Sequence, residues 1–250
     1  AHLNWANLRV AILANANLTG ADISAANLSN AVLSHANLQK AYLIKANLKE
    51  ANLKDADLTL ASLKEADLSE ADLTGAELSK VNLAGANLTR AKLTTANLLK
   101  ANLRRANLTE AYLNYACLGE SDLTEACLNR ANLTKADLSK TYLRKITLNG
   151  SHLSGVNFNG ADLSGIDLSQ KLLTGINLAE ALLNEANFSG AYLMEANLSG
   201  ANLTNANFSQ AYLINANLSD ACLDHVDLSQ ANLTKADLRK ADLTGANLRG

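Results

Sequence analysis

A bulky apolar residue recurs at every fifth position along the whole chain. The series begins at Leu3 and contains 46 leucines, and its other members are Ile23, Phe158, Phe188 and Phe208. Alanine stands two residues before this position in 40 cases, and no insertion or deletion breaks the spacing. The 250 residues are therefore fifty consecutive units of five, apolar at the first and third positions and mostly polar elsewhere.

This period of five fits neither a helix nor a straight strand. A helix turns about 100° per residue, so an apolar residue at every fifth position would spiral around it and form no continuous stripe. In an extended strand the first and third positions share a face, but the next unit would point the opposite way. Both positions stay inside only if the chain turns a corner once per repeat. We therefore predict an all-β coil whose stacked turns pair their backbones.

The charges at the fifth position indicate how many repeats form one coil. If neighbouring coils lie about 4.8 Å apart, stacked charges should alternate in sign. At a spacing of four repeats nine charged pairs are opposite and two are alike, as in the column of Arg90, Glu110 and Arg130. A spacing of five repeats is the nearest rival, with seven opposite and three alike. We adopt a spacing of four repeats, which predicts four sides of one pentapeptide each per coil.

The repeated unit, seen as ANLTG, ADLSE and ANLSG, resembles the pentapeptide-repeat proteins over the whole chain, especially their bacterial and cyanobacterial members. The resemblance implies a right-handed quadrilateral β-helix, with the central Leu or Phe and the preceding small residue inside. At four repeats per coil, the fifty repeats give about 12.5 coils. We predict one solenoid domain over residues 1–250.

The least regular stretch covers residues 141–180. Most of its inward first positions depart from alanine, as at Ile146 and Val156, and several of its corners are glycine. Lys171 also occupies an inward first position, where an unpaired ammonium would be costly to bury. We expect its side chain to reach solvent or the backbone to bulge, and a functional lysine is the alternative.

Five outward apolar residues come together on one predicted side of the coil. Leu172, Tyr192 and Tyr212 occupy second positions one predicted coil apart, and Met194 and Ile214 follow on the same side at fourth positions. Fourth positions elsewhere are mostly polar. We predict that these residues form a partner-binding patch. A stack of aromatics that merely favours strand pairing is the alternative.

The sequence shows no pattern for catalysis or for a cofactor. It has no phosphate-binding glycine loop and no nucleophile motif, and the four histidines fall on columns that do not converge. Asn or Asp fills 21 of the 25 second positions on two opposite sides, which predicts side-chain ladders that support the coil. We therefore predict no enzyme activity, no metal site and no cofactor.

Charge and cysteine usage limit the choice of partner and compartment. Residues 90–145 carry ten basic and five acidic side chains, but the formal charge of the chain is only −2, and neither sign forms a continuous stripe. We therefore predict no nucleic-acid partner. The spacing of Cys117, Cys127 and Cys222 disfavours disulfides, which weakly favours the cytoplasm and leaves the periplasm and thylakoid lumen open.

These observations favour a non-catalytic scaffold or protein-interaction rod with an unidentified protein partner. One alternative comes from the family, some of whose members mimic DNA and act on DNA gyrase. A second is a structural spacer within a larger, membrane-attached protein, although no apolar run here approaches the ~20 residues that span a bilayer and the segment itself should not contact a membrane. Because terminal coils leave open edges, we expect end-to-end self-association or capping segments outside this sequence.

Overall fold

The computed structural model describes residues 2–250, which divide into two compact units. The first unit comprises Ala1–Ala136 and Ile146–His152, and the second comprises Asp137–Lys145 and Leu153–Gly250. In both units the β-structure consists of isolated bridge residues, one at the second position of each repeat, and a turn follows at the fourth and fifth positions of every repeat before 246–250. The repeats at 141–180 keep this pattern.

Parallel bridges join second positions that are four repeats apart. In the first unit they run from His2↔Asp22 to Asn132↔His152, and in the second from Asp137↔Asn157 to Asp227↔Asn247. Stacked positions are therefore four pentapeptides apart, which is the spacing that the charges indicated. Each unit is a parallel β-helix, and this confirms the all-β coil predicted from the period of five.

The hydrogen bonds follow from this stacking. The N–H of a central residue donates to the next winding of the β-helix, as from Leu28 to the carbonyl of Asn47 at 2.7 Å. The N–H of a second-position residue donates to the preceding turn, as from Asn47 to the carbonyl of Ala26 at 2.9 Å. Between consecutive repeats, the N–H of Ala31 donates to the Leu28 carbonyl at 3.0 Å and closes the corner. The polar backbone thus stays satisfied beside an apolar interior.

Each corner requires a left-handed backbone conformation at the fifth position. Gly190 has φ 62, but most corners carry other residues, such as Lys100 with φ 59 and Glu185 with φ 59. A positive φ at this place is typical of type II turns, which close with a hydrogen bond across four residues. The repeated corner therefore imposes an unfavourable conformation on many L-residues, which the stacked hydrogen bonds and the buried core offset.

The interior is built from the two apolar positions of the repeat. The central side chains between Ile23 and Leu223 are almost completely buried, and so are most of the alanines before them. In the second unit the rings of Phe188 and Phe208 stack inside the coil with centroids 4.6 Å apart. Burying a leucine or phenylalanine side chain contributes about 1.5–3 kcal/mol before chain entropy is subtracted, so one repeated layer drives folding.

The second-position Asn and Asp residues support the corners, as the sequence predicted. The Oδ1 of Asn197 accepts a hydrogen bond from the backbone N–H of Ser199 at 3.2 Å, a local turn that recurs in many repeats. The same side chains also stack: the Nδ2 of Asn177 donates to the Oδ1 of Asn157 at 2.8 Å, and the Nδ2 of Asn197 donates to the Oδ1 of Asn177 at 3.4 Å. These residues serve the fold.

Candidate protein-binding surface

The second unit places the predicted apolar residues on consecutive turns. Leu172 bridges Tyr192, and Tyr192 bridges Tyr212. The N–H of Leu173 donates to the Tyr192 carbonyl at 2.8 Å, and the N–H of Tyr192 donates to the carbonyl of Lys171 at 2.9 Å. The backbone that presents these side chains is therefore fixed by the ladder, and the side chains themselves are left to face outward.

The two tyrosine rings form a parallel stack. Their centroids are 4.9 Å apart and their planes differ by 4°. Tyr192 is 37% exposed, Tyr212 41% and Leu172 75%, so the stack does not bury them. The spacing of the rings matches the ~4.8 Å between neighbouring strands, because equivalent positions on consecutive turns stand one strand spacing apart.

Met194 and Ile214 lie beside the stack and are half-buried. The carbonyl of Met194 accepts a hydrogen bond from the N–H of Gly175 at 2.8 Å, and that of Ile214 accepts one from the N–H of Glu195 at 3.0 Å. The backbones of both fourth-position residues thus belong to the same ladder as those of the tyrosines. The five residues Leu172, Tyr192, Met194, Tyr212 and Ile214 are hereafter the apolar patch.

Polar residues border the apolar patch. On the next turn Tyr212 bridges Asn232, whose Oδ1 accepts hydrogen bonds from the backbone N–H and the hydroxyl of Thr234 at 3.1 and 2.7 Å. At the preceding corner the Nε2 of Gln210 donates to the Oε1 of Gln230 at 3.1 Å. An apolar centre with a polar rim is the common organisation of protein interfaces.

Lys171 is neither fully buried nor fully exposed. Its positive charge contributes to a lowered pKa at the Asp167 carboxyl, after the hydrogen bonds from the hydroxyl and N–H of Ser169 and that from Asn187. The ammonium therefore lies within electrostatic reach of a carboxylate. A functional role for Lys171 stays a prediction.

Second-position aspartates accept hydrogen bonds from the residue two positions later in the same repeat, which lowers the pKa of their carboxyl groups. Burial raises the pKa of Asp122, but the hydrogen bonds from Thr124 and from Arg104 together lower it by more. The pKa of Asp122 is therefore below its ordinary value. In Asp237 the guanidinium and N–H of Arg239 lower the pKa to about 2. Such carboxylates stay ionised at neutral pH and stabilise corners, which is a structural role.

The described residues offer little chemistry beyond these contacts. No group of three or more His, Cys, Asp or Glu side chains in residues 2–250 is arranged to hold a metal ion. Cys117, Cys127 and Cys222 are free and half-buried. Over the same part of the chain, no helix is long and apolar enough to cross a membrane.

Sequence reasoning missed one cluster, in the first unit. Tyr115 is 54% exposed, and the Nζ of Lys135 lies 5.6 Å from the centroid of its ring. Tyr112, in the same repeat, is 49% exposed. Two tyrosines in one repeat, with a lysine one turn after one of them, were the signal in the sequence that could have identified this cluster.

Three solved structures show what the chain resembles. HetL from the cyanobacterium Nostoc sp. strain PCC 7120, a pentapeptide-repeat protein involved in heterocyst differentiation regulation, is 35% identical over 96% of this chain and 88% of its own, with a TM-score of 0.44. Full-length QnrB1, a plasmid-mediated fluoroquinolone resistance protein, is 17% identical over 83% of this chain and 91% of its own, with a TM-score of 0.26. Rfr23 from the cyanobacterium Cyanothece 51142 is 27% identical over 63% of this chain and 90% of its own, with a TM-score of 0.15.

No significant match was found among curated proteins. The family model for pentapeptide repeats matches eight times and covers nearly the whole chain. The matched segments are residues 1–39, 26–64, 61–98, 86–125, 101–139, 131–170, 172–210 and 211–250. These matches establish that the chain belongs to the pentapeptide-repeat family.

Proposed function

We propose that this chain is a non-catalytic scaffold and that the apolar patch binds a protein partner. The observation that carries the proposal is the exposure of Leu172, Tyr192 and Tyr212 on consecutive turns of one side. Water-exposed apolar side chains that touch one another are unfavourable unless a partner covers them. Tyrosine is also enriched among the residues that dominate binding energy at interfaces.

The repeat itself gives no reason for an apolar patch at this place. Tyr192 and Tyr212 occupy positions that are Asn or Asp in many other repeats, where the side-chain oxygen accepts the N–H of the fourth residue. A tyrosine cannot make that bond. The patch therefore forgoes a stabilising contact of the repeat, and partner binding is the function that would account for this.

The proposal includes a finer architecture. We expect a right-handed coil of quadrilateral cross-section with about 12.5 turns over the 250 residues, and a single solenoid domain over 1–250. Such a rigid framework suits recognition, because little conformational entropy is lost on binding. We also expect no nucleic-acid partner and no membrane contact by this segment.

Affinity capture with matched variants tests the patch. The immobilised chain and its Tyr192→Ser, Tyr212→Ser variant are exposed to a lysate of the source organism, and bound proteins are identified by mass spectrometry. Tyr42 and Tyr142 are 54% and 56% exposed, and Tyr42→Ser, Tyr142→Ser serves as the control variant. A partner bound by the parent and the control, but lost from the patch variant, supports the proposal.

Equal capture by all three proteins would remove the patch as the binding site. Circular dichroism and thermal unfolding should agree among the three, because both substituted pairs are exposed and the ladder uses backbone groups. A chain that captures nothing in any form would instead support the spacer alternative.

The gyrase-directed alternative requires a different measurement. A DNA supercoiling assay with purified gyrase would show inhibition or protection by this chain if the alternative were correct. We expect neither inhibition nor protection, because the columns of charged residues contain both acidic and basic side chains, such as Lys100 and Glu120, which pair at 3.1 Å. A mimic of DNA would instead need a continuous acidic surface.

A further inference from the structure

A second surface, in the first unit, combines exposed tyrosines with an excess of positive charge. Lys92 bridges Tyr112, and Tyr112 bridges Asn132, so three consecutive turns carry a lysine, a tyrosine and an amide. The residues of this surface are Arg90, Lys92, Tyr112, Tyr115, Arg130 and Lys135, and it is hereafter the basic aromatic face.

One edge of the basic aromatic face is a lysine on an aromatic ring. The Nζ of Lys135 lies 5.6 Å from the centroid of Tyr115, which is within the range of a cation–π contact. The N–H of Tyr115 donates to the carbonyl of Thr134 at 3.0 Å and fixes the corner that presents the ring. The contact orders the lysine while its three N–H donors stay available to a partner.

The opposite edge is a column of two arginines around one glutamate. The Nε of Arg90 donates to the Oε2 of Glu110 at 2.8 Å, and the Nη1 of Arg130 donates to its Oε1 at 3.4 Å. Each guanidinium has five N–H donors, and Glu110 occupies few of them. The glutamate therefore holds both arginines in place and leaves most of their donors open.

Positive charge exceeds negative charge on these turns. Arg90, Arg130 and the two lysines of the face stand against Glu110. Two carboxylates border the face on the side of lower residue numbers. Asp72 lies 3.9 Å from the Nζ of Lys92, and Glu70 contributes to the raised pKa of Arg90 after the stronger effect of Glu110. The turns that carry the tyrosines thus keep an excess of cations.

We propose that the basic aromatic face binds an acidic segment of a partner protein. Carboxylates of the segment would pair with the open donors of Arg90, Arg130, Lys92 and Lys135, and the tyrosines would supply apolar contact area. Arginine and tyrosine are among the residue types that most often dominate interface energies. This site is separate from the apolar patch and does not depend on it.

The dimensions favour an acidic peptide over a nucleic acid. The face covers about three turns, or roughly 10 Å at ~4.8 Å per turn. An extended peptide rises about 3.3 Å per residue, so a segment of about four residues spans the face. Sites that track single-stranded nucleic acids instead accommodate about 4–16 nucleotides along a continuous basic groove. The carboxylates of Asp72 and Glu70 border this face and would repel a longer polyanion.

Fluorescence anisotropy with defined probes tests the proposal on the full chain. The probes are a fluorescein-labelled tetraglutamate peptide, a tetraglutamine peptide and an oligothymidylate of equal charge. We expect the chain to bind tetraglutamate at low salt, to lose that binding as salt rises, and to bind tetraglutamine at least about tenfold more weakly. Lys92→Gln, Lys135→Gln should weaken tetraglutamate binding about tenfold.

The matched control is Lys40→Gln, Lys80→Gln, which removes the same charge from exposed corners outside the face. This variant should bind tetraglutamate nearly as well as the parent. Tyr112→Ser, Tyr115→Ser should also weaken binding although it keeps every charge. The proposal is overturned if tetraglutamate does not bind, if both lysine pairs cause equal loss, or if oligothymidylate binds more tightly than the peptide.

Discussion

The guanidinium of Arg144 donates from Nε to the Oδ2 of Asp162 at 2.6 Å, although the aspartate side chain is almost fully buried. The other oxygen, Oδ1, accepts the hydroxyl and the N–H of Ser164 at 2.7 and 3.2 Å. The pair joins the fourth position of one repeat to the second position of the repeat one turn later. Arg104 and Asp122 make the same diagonal contact at 3.0 Å.

This pair predicts a pH-dependent loss of stability. Burial raises the pKa of Asp162, but the hydrogen bonds from Ser164 and Arg144 lower it more, so the folded-state pKa lies below the ordinary value of 3.8. A lowered folded-state pKa stabilises the fold above the unfolded-state pKa, and this stabilisation disappears as pH falls through the folded-state pKa. Asp162→Asn should therefore lower the free energy of unfolding by about 1.5–3 kcal/mol at pH 7, the usual contribution of hydrogen bonds to charged groups.

Urea unfolding at pH 7 and at pH 2 measures the effect, and the difference between parent and variant should shrink at the lower pH. Asp237→Asn is the matched control, because Asp237 pairs with Arg239 on a solvent-exposed surface. Its substitution should cost less than that of Asp162. An equally large, pH-independent effect at both sites would contradict the assignment.

A second prediction concerns the strained corner at Thr95. Its φ is 57, a left-handed conformation that β-branched residues rarely adopt. Asn tolerates this region better and occurs at equivalent corners, as at Asn205 with φ 59. Thr95→Asn should raise the free energy of unfolding by up to about 1 kcal/mol, as relief of left-handed strain predicts. The hydrogen bond from the Thr95 hydroxyl to the Thr94 carbonyl offsets part of the gain.

The control is the reverse substitution at another corner of the same left-handed conformation, Asn205. Asn205→Thr should lower the free energy of unfolding, and thermal unfolding of both variants gives the two signs. If both substitutions shifted the midpoint in the same direction, backbone strain would not be the cause.

Much of the fold follows from the sequence because one period dictates it. Leucine at every fifth residue excludes a helix and a flat strand, and alternating charges indicate the spacing at which turns stack. Several pairs counted from the sequence are ion pairs in the structure, including Lys45–Glu65 at 3.5 Å and Arg105–Glu125 at 2.7 Å. Periodicity thus specifies which positions share a column.

Periodicity does not specify which way a long side chain reaches. The diagonal pair of Arg144 and Asp162 and the contact of Lys135 with Tyr115 depend on rotamers, which the repeat pattern leaves undetermined. The same limit holds for the apolar patch. The repeat pattern predicts that Tyr192 and Tyr212 lie on consecutive turns, but it does not determine the parallel orientation of their rings.

A third prediction concerns a buried hydroxyl in the first unit. Ser121 is 0% exposed, and its Oγ has no hydrogen-bond partner among residues 2–250. Burying an unpaired hydroxyl costs about 1–3 kcal/mol. Ser121→Ala restores the residue that most repeats carry and should raise the free energy of unfolding by about 1 kcal/mol.

Ser151 is the comparison for this site. Its Oγ donates to the carbonyl of Leu128 at 2.9 Å, so Ser151→Ala removes a bond and should lower stability. Urea unfolding of the two variants is expected to show opposite shifts in midpoint. A destabilised Ser121→Ala variant would mean that its hydroxyl has a partner in solution, such as a bound water.

The last prediction separates the two contacts of the amide ladder in the second unit. The Oδ1 of Asn197 accepts the N–H of Ser199 at 3.2 Å, and its Nδ2 donates to Asn177 at 3.4 Å. Asn197→Asp keeps an acceptor for the N–H and the hydroxyl of Ser199 and for the Nδ2 of Asn217, and it loses the donor to Asn177. Asn197→Ala loses all of these contacts. The hydrogen bond to the turn recurs at corners of this kind, whereas the longer ladder bond is weak. The free energy of unfolding should therefore fall by about 1 kcal/mol in the alanine variant and by clearly less in the aspartate variant at neutral pH.

Differential scanning calorimetry of the parent and the two variants measures this difference. A carboxylate at position 197 would also accept hydrogen bonds from the Nδ2 of Asn217, which lies 3.4 Å from the Asn197 Oδ1 in the parent. If the aspartate variant were as unstable as the alanine variant, the stacking of amides between turns, and not the local turn, would be the reason that the repeat favours Asn at its second position.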